Sequence, residues 1–164
     1  MSRATPRSSP PADFYEADSY CAEESVGYLM KRIGQSVVYQ VDKRLQVHDL
    51  TSAQWGPLMH LRKAGRSTVA DLARLMQLDA GAMTRLLDRL ETKALCKRVR
   101  STADRRVVLV ELTADGEAAI AQVPAVLAEV MNAHLAGFSK TEWQALKTYL
   151  QRMLATGEAL RDAP

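Results

Sequence analysis

Three runs follow one another without a break: Leu95-Cys96-Lys97-Arg98-Val99, then Arg100-Ser101-Thr102-Ala103-Asp104-Arg105-Arg106, then Val107-Val108-Leu109-Val110-Glu111-Leu112. Two apolar runs around a polar, basic turn predict a β-hairpin. The rest of the chain predicts helices. Leu, Ala, Arg, Met, Gln and Glu dominate, and only 5% of the 164 residues are aromatic. One small hairpin in a helical background is the feature from which the remaining organisation is read.

Immediately upstream, Ser67 to Lys93 holds two short helical patterns separated by Gln77-Leu78-Asp79. Asp79 is placed to cap the second of them. Leu72, Met76, Leu78, Met83 and Leu86 supply the apolar contacts where two such helices meet, and Ala73 is the small residue at the crossing. Glycine is usual in the turn of a helix-turn-helix; Gln77 stands there. Further upstream, Thr51 with Gln54 forms a capping box that opens a helix running to about Lys63. Before it, apolar residues from Val26 to Leu45 recur at helical spacing from about Ala22 onward. Downstream of the hairpin, Thr113-Ala114-Asp115-Gly116-Glu117 opens one long helix and Ser139-Lys140-Thr141-Glu142, a second capping box, opens a last one. Residues 1–13, rich in proline and serine, are expected to form a disordered tail.

Charge follows the same division. Residues 51–113 hold 12 Lys and Arg against 6 Asp and Glu, while the whole chain carries only +3. The positive charge therefore sits on the segment with the helix pair and the hairpin, as a nucleic-acid footprint would. In a helix that enters the major groove, Thr84, Arg85 and Arg89 face the base edges and backbone, with Arg85 able to bond guanine O6 and N7 together. At the hairpin tip, Asp104 can hold Arg106 extended toward a minor groove, while Lys97, Arg98, Arg100 and Arg105 flank phosphates. No phosphate-cradling glycine loop, GxSxG or HExxH sequence is present, so the chain is not read as an enzyme. Cys21 and Cys96 have neither CxxC nor Cys/His spacing, and no metal or cofactor is expected. Neither a membrane span nor a secretory signal is legible, which places the protein in the cytoplasm.

Asp104-x-Arg106-x-x-Leu109-Val110-x-x-Thr113 resembles the wing signature of the MarR family of winged helix-turn-helix regulators. Asp71-Leu72-Ala73 and Arg85-Leu86-Leu87-Asp88-Arg89-Leu90-Glu91 resemble its helix-turn-helix, and the likeness spans roughly residues 25–157. Ala94 departs from the family, which generally has glycine before the first wing strand. The resemblance implies a mainly α fold with a small β-hairpin wing: a winged helix-turn-helix over 51–113, flanked by a helical dimerisation region from 14–50 and 114–164. It also implies a homodimer on a pseudo-palindromic double-stranded DNA operator, with repression relieved by a small molecule or an oxidant. Carried over by position, Arg106 is the minor-groove arginine, Asp104 its partner, and Thr84 and Arg85 the base-contacting residues.

The commonest effectors of the family are small aromatic acids. Tyr28, Arg32 and Tyr39 in the first helix, with Trp55, Met59, His60 and Arg62 in the second, offer the aromatic and cationic mixture that a planar carboxylate needs. Two other kinds of sensing stay open. Cys21, beside Tyr20, could respond to an oxidant; Cys21, Glu23, Glu24, His48, His60 and His134 supply zinc-ligand types without ligand spacing. A helical interaction protein with no DNA role would explain the long apolar end helices but not the basic centre.

Overall fold

The computed structural model describes residues 10–161. Among these residues, seven α-helices and three strands follow in the order α1 (Val26–Leu45), α2 (Ser52–Ala64), β1 (Arg66–Thr68), α3 (Val69–Leu75), α4 (Ala80–Thr92), β2 (Cys96–Arg100), β3 (Val108–Leu112), α5 (Ala114–Ile120), α6 (Val123–His134) and α7 (Lys140–Arg161). The chain divides into two compact units, one ending at Ser36 and one beginning at Val37, so that the boundary falls within α1. Among the described residues, no helix is long and apolar enough to cross a membrane.

In the first unit, the helix expected from about Ala22 begins at Val26, because Ala22–Glu24 form a single 3-10 turn. Ser25 ends that turn: its hydroxyl donates to the Ala22 carbonyl at 2.7 Å and accepts from the Tyr28 amide at 3.2 Å. The Tyr15 hydroxyl accepts from the Val26 amide at 3.0 Å, and the Tyr15 and Tyr20 rings meet edge to face at 5.6 Å. Of the expected tail, residues 1–9 lie outside the described residues, and residues 10–13 form neither helix nor strand.

The second unit carries the core. Leu58 and Leu61 of α2, Leu72 of α3, Met83, Leu87 and Leu90 of α4, Val110 of β3 and Ile120 of α5 are all fully buried. Burying each such side chain contributes about 1.5–3 kcal/mol, which outweighs the modest propensities of helices as short as α3 and α5. The expected capping residues of this unit act as such, Ser139 with Glu142 included. Thr51 and Gln54 form a complete capping box, and the Asp79 carboxylate accepts from the Ala82 amide at 2.8 Å.

Three expectations are corrected. Ser67 and Thr68, expected within a helical stretch, form with Arg66 a third strand, giving an antiparallel sheet in the order β1-β3-β2. Thr68 then caps α3, its hydroxyl accepting from the Asp71 amide at 3.0 Å, so a capping pattern hid a strand end. The helix predicted from Thr113 is two helices, α5 and α6, broken at Ala121–Gln122, where Pro124 in the first turn of α6 has no amide to continue the ladder. Leu78, expected between the two DNA-reading helices, is exposed; the reversal at Gln77 turns it outward.

Candidate nucleic-acid interface

The α3-turn-α4 pair and the β2-β3 hairpin form the candidate site. Helix α4 buries Met83, Leu86, Leu87 and Leu90 on one face and leaves Ala80, Gly81, Thr84, Arg85, Asp88 and Arg89 exposed on the other. The Thr84 hydroxyl is turned back onto the Ala80 carbonyl at 2.8 Å. Arg85 and Arg89 have no hydrogen bond or ion pair among the described residues.

The wing is pinned at its base and open at its tip. At the base, β3 lies between β1 and β2 with Glu111 opposite both Arg66 and Lys97. Its carboxylate pairs with the Arg66 guanidinium and, at 3.1 Å, with the Lys97 ammonium. The bonds from Lys97 and Arg66 hold the Glu111 carboxyl below the usual carboxylate range. The Thr113 hydroxyl donates to the Ala94 carbonyl at 2.5 Å and accepts from the Gly116 amide at 3.0 Å, tying the start of α5 to the end of α4.

At the tip, the chain reverses between Ser101 and Val107, which share a bond at 2.9 Å from the Ser101 amide to the Val107 carbonyl. The Ser101 hydroxyl accepts from the amides of Ala103 and Asp104, and the Asp104 carboxylate accepts from the Arg106 amide at 2.9 Å. Asp104 thus acts on the backbone of Arg106 and shapes the turn, where the sequence reading had it hold the arginine side chain. Arg100, Arg105 and Arg106 are exposed, and none has a partner among the described residues.

Two cations expected to flank phosphates are already engaged. Lys97 is paired with Glu111, and Arg98 reaches Asp88 at 2.8 Å and also pairs with Glu91. Sequence reasoning missed these pairings, although alternate positions on β3 put Glu111 on the same face as Leu109, and Asp88 and Glu91 stand three apart on α4. Cys96 is buried, and burial, followed by the Glu91 charge, pushes its thiol up to about 11 despite Arg98 nearby. A thiol so shifted is a poor nucleophile near neutral pH.

The candidate effector residues are dispersed. Arg32 donates to the Tyr28 hydroxyl at 3.0 Å and lies 5.8 Å from the centre of that ring. Tyr39 lines an open cavity of about 500 Å³ with Asp42, Lys43 and Leu50. His60 shares a 3.0 Å hydrogen bond with Ser67 and lines a second cavity, of about 460 Å³, with Asp71, Arg74 and Glu158. Arg62 pairs with Glu117 at 3.4 Å and lines a third, of about 430 Å³. Trp55 and Met59 are half-buried against the core, and the indole nitrogen of Trp55 is buried without a partner among the described residues. Cys21 is exposed, with its sulfur 3.6 Å from a Glu23 carboxylate oxygen. Among the described residues, no three His, Cys, Asp or Glu side chains gather as a metal site.

Residues 50–108 match the MarR family. The multiple antibiotic resistance protein MarR of Salmonella typhimurium is 37% identical over 93 residues, a match that spans 57% of this chain and 65% of that protein, just under two thirds of its length. MarR of Escherichia coli is 30% identical over 130 residues, covering 79% of this chain and 90% of that protein. The chain belongs to the MarR family. The family's members are transcriptional regulators and not enzymes. The HTH-type transcriptional repressor NicR of Pseudomonas putida is 27% identical over 158 residues, covering 96% of this chain and 98% of that one. Among solved structures, a mutant E. coli MarR complexed with operator DNA superposes with a TM-score of 0.73 at 29% identity, over 78% of this chain and 92% of that one. BpsR of Bordetella bronchiseptica, whose DNA binding is regulated by 6-hydroxynicotinic acid, gives 0.74 at 28% identity, over 88% and 99%. The MarR fold is mainly helical with a small winged sheet, as the sequence predicts.

Proposed function

We propose that this MarR-family chain is a homodimeric transcriptional repressor that binds a pseudo-palindromic operator and leaves it when a small aromatic carboxylate binds. The observation that carries the DNA-binding part is the set of five unpaired arginines: Arg85 and Arg89 on the exposed face of α4, and Arg100, Arg105 and Arg106 around the wing tip. Unpaired, exposed guanidinium groups are free to take phosphate or guanine as partners. Thr84 and Arg85 read bases, Arg106 enters the minor groove, Asp104 shapes the turn that presents it, and Arg89, Arg100 and Arg105 meet phosphates. Residues 51–113 form the DNA-binding region.

The dimer reading rests on α7. This helix has 22 residues and buries none of them, although Trp143, Tyr149, Leu150, Met153 and Leu154 are large and apolar. On α1, Val26, Leu29, Met30, Ile33 and Val38 are exposed as well. A two-fold partner covering residues 14–50 and 114–164 would bury these stripes and set two copies of α4 about 34 Å apart, one turn of B-DNA. The repressor and effector readings are supported by NicR, a repressor by name, and by the 6-hydroxynicotinic acid regulation of BpsR. The protein acts in the cytoplasm.

Titrating full-length protein against random duplex at several salt concentrations tests the first part. A steep fall of affinity with salt is expected; weak binding with no slope would favour an interaction protein with no DNA role. A thermal-shift panel of aromatic acids, with 6-hydroxynicotinic acid and the matching uncharged amides, tests the effector. The acids should raise the melting temperature in proportion to the logarithm of their concentration, and the amides should not. Light scattering tests the dimer: a chain cut after Gly137 is expected to run as a monomer and to lose tight binding to a full palindrome.

A further inference from the structure

Arg98 of β2 reaches across to α4. Its guanidinium donates to Asp88 at 2.8 Å and to Glu91, and reaches the Thr84 carbonyl at 3.3 Å. Its own amide donates to the second Glu91 oxygen at 2.7 Å, so backbone and side chain grip the same carboxylate. Thr84, Asp88 and Glu91 stand at i, i+4 and i+7, which places them in one stripe along α4. One side chain from the wing thereby spans two turns of the candidate recognition helix.

Two features separate this arginine from those at the tip. Its side chain is only 26% exposed, whereas Arg100, Arg105 and Arg106 are open to solvent. Its single positive charge is met by two carboxylates, so the cluster of Arg98, Asp88 and Glu91 carries a net negative charge and repels a phosphate. Burial works against charging Arg98, yet the bond from Asp88 and the Glu91 charge outweigh it and hold the guanidinium ionised.

We propose that Arg98 is a positioning residue for DNA recognition, clamping the first wing strand to α4 through Asp88, Glu91 and the Thr84 carbonyl so that Thr84, Arg85 and the wing tip are presented in one fixed geometry. The proposal rests on the reading that α4 and the wing bind DNA. It assigns Arg98 no phosphate of its own. Asp88, which lies on the exposed face of α4 and would disfavour DNA by charge alone, becomes a part of the recognition apparatus.

The test compares variants that change charge in opposite directions. Full-length protein first enriches a duplex from a random pool. Dissociation constants are then measured for that duplex and for a scrambled duplex of equal composition, across a range of salt. Arg98→Gln removes one positive charge, and Asp88→Asn with Glu91→Gln removes two negative charges. A clamp predicts that both variants lose about tenfold in the ratio of selected to scrambled affinity, the size of one misread base pair, with the salt slope of Arg98→Gln unchanged. Arg98→Lys should recover only part of the ratio, since an ammonium cannot fork between two carboxylates. A phosphate contact predicts the reverse: Arg98→Gln weakens both duplexes alike and lowers the slope by about one, while the carboxylate variant binds both more tightly at an unchanged ratio. That result overturns the clamp. Thermal melting checks that each variant is folded. If Arg98→Gln is not, Asp88→Asn alone decides, and an unchanged ratio in that folded variant also overturns the proposal. A wild type that enriches no duplex sinks the DNA-binding reading and the clamp with it, whereas a discriminating wild type with charge-tracking variants sinks the clamp alone.

Discussion

The base and the tip of the wing are made of the same kinds of side chain and differ in what those side chains touch. At the base, Arg66, Lys97 and Arg98 are all satisfied by Glu111, Asp88 and Glu91. At the tip, a few residues along the same two strands, Arg100, Arg105 and Arg106 have no partner among the described residues. The lesson is that basic residues within one motif divide into those that hold the protein together and those left over for a ligand. Position in the sequence does not separate the two groups; the placement of three carboxylates does.

The sharpest way to break the base is through Gly116. A Cβ added there would stand 1.9 Å from the Leu95 carbonyl oxygen and 2.9 Å from its carbon, both backbone atoms at the root of β2. Neither can move without pulling the strand away from α5 and breaking the Thr113 bonds to Ala94 and Gly116. Gly116→Ala is therefore expected to destabilise the fold by about 3 kcal/mol, at the upper end of overpacking costs. Chemical denaturation measures it. A loss below about 1 kcal/mol would mean that the wing root is not rigid.

Breaking the tip should leave stability alone. Arg106→Ala is expected to weaken operator binding by roughly 1–3 kcal/mol, with the melting temperature unchanged because the exposed side chain has no hydrogen bond or ion pair among the described residues. Asp104→Ala is expected to act on both properties mildly, since its carboxylate holds the Arg106 amide and shapes the turn. Equal losses of stability and binding in Arg106→Ala would erase the distinction between tip and base.

How much of this was legible in the sequence depends on how far apart the interacting residues lie. The capping residues Thr51, Asp79 and Ser139 were readable because each acts within three residues on its own amides. The hairpin, the helix-turn-helix and the surplus of positive charge over 51–113 were readable for the same local reason. What Lys97 and Arg98 bind was not, because it depends on strand register and on the seating of β2 against α4, both set by tertiary packing. β1 was missed because three residues ending in a helix cap carry no strand period. The effector residues are the weakest part of the reading, since Tyr39, His60 and Arg62 share a helical sequence pattern yet line three different cavities.

A smaller effect sharpens the electrostatic side of the base. Glu111 titrates below the usual carboxylate range when folded, so its contribution to stability is fully present above that range and is lost as pH falls through the depressed folded value. Glu111→Gln should lower the melting temperature at neutral pH, and the gap from wild type should close on acidification. A gap that stays constant down to strongly acidic pH would show that Lys97 and Arg66 add nothing through charge.

The smallest effect concerns the joints rather than either end of the wing. Three helices end in the same way, with a residue in the left-handed region: Asp49 at φ 53°, Gln77 at φ 53° and Ala94 at φ 56°. At Ala94 the Leu95 amide donates to the Leu90 carbonyl at 2.9 Å and the Ala94 amide to the Glu91 carbonyl at 2.8 Å, the paired bonds of a Schellman motif. Gln77 repeats the pattern, with bonds from Leu78 to Ala73 and from Gln77 to Arg74. These are the two positions where glycine is usual and absent, yet the backbone takes the glycine conformation in both. The packing of Leu72, Met83, Leu87 and Leu90 therefore fixes the helix ends and imposes strain on the residues that close them. Ala94→Gly removes a left-handed penalty of about 1–2 kcal/mol and adds about 0.5–1 kcal/mol of chain entropy to the unfolded state, leaving a net gain of about 0.5 kcal/mol. Gln77→Gly should behave alike, and because the two joints are separate, the gains should add. Denaturation midpoints of the two single variants and the double variant measure this. A loss of stability in either single variant would mean that its side chain makes a contact worth more than the strain it bears.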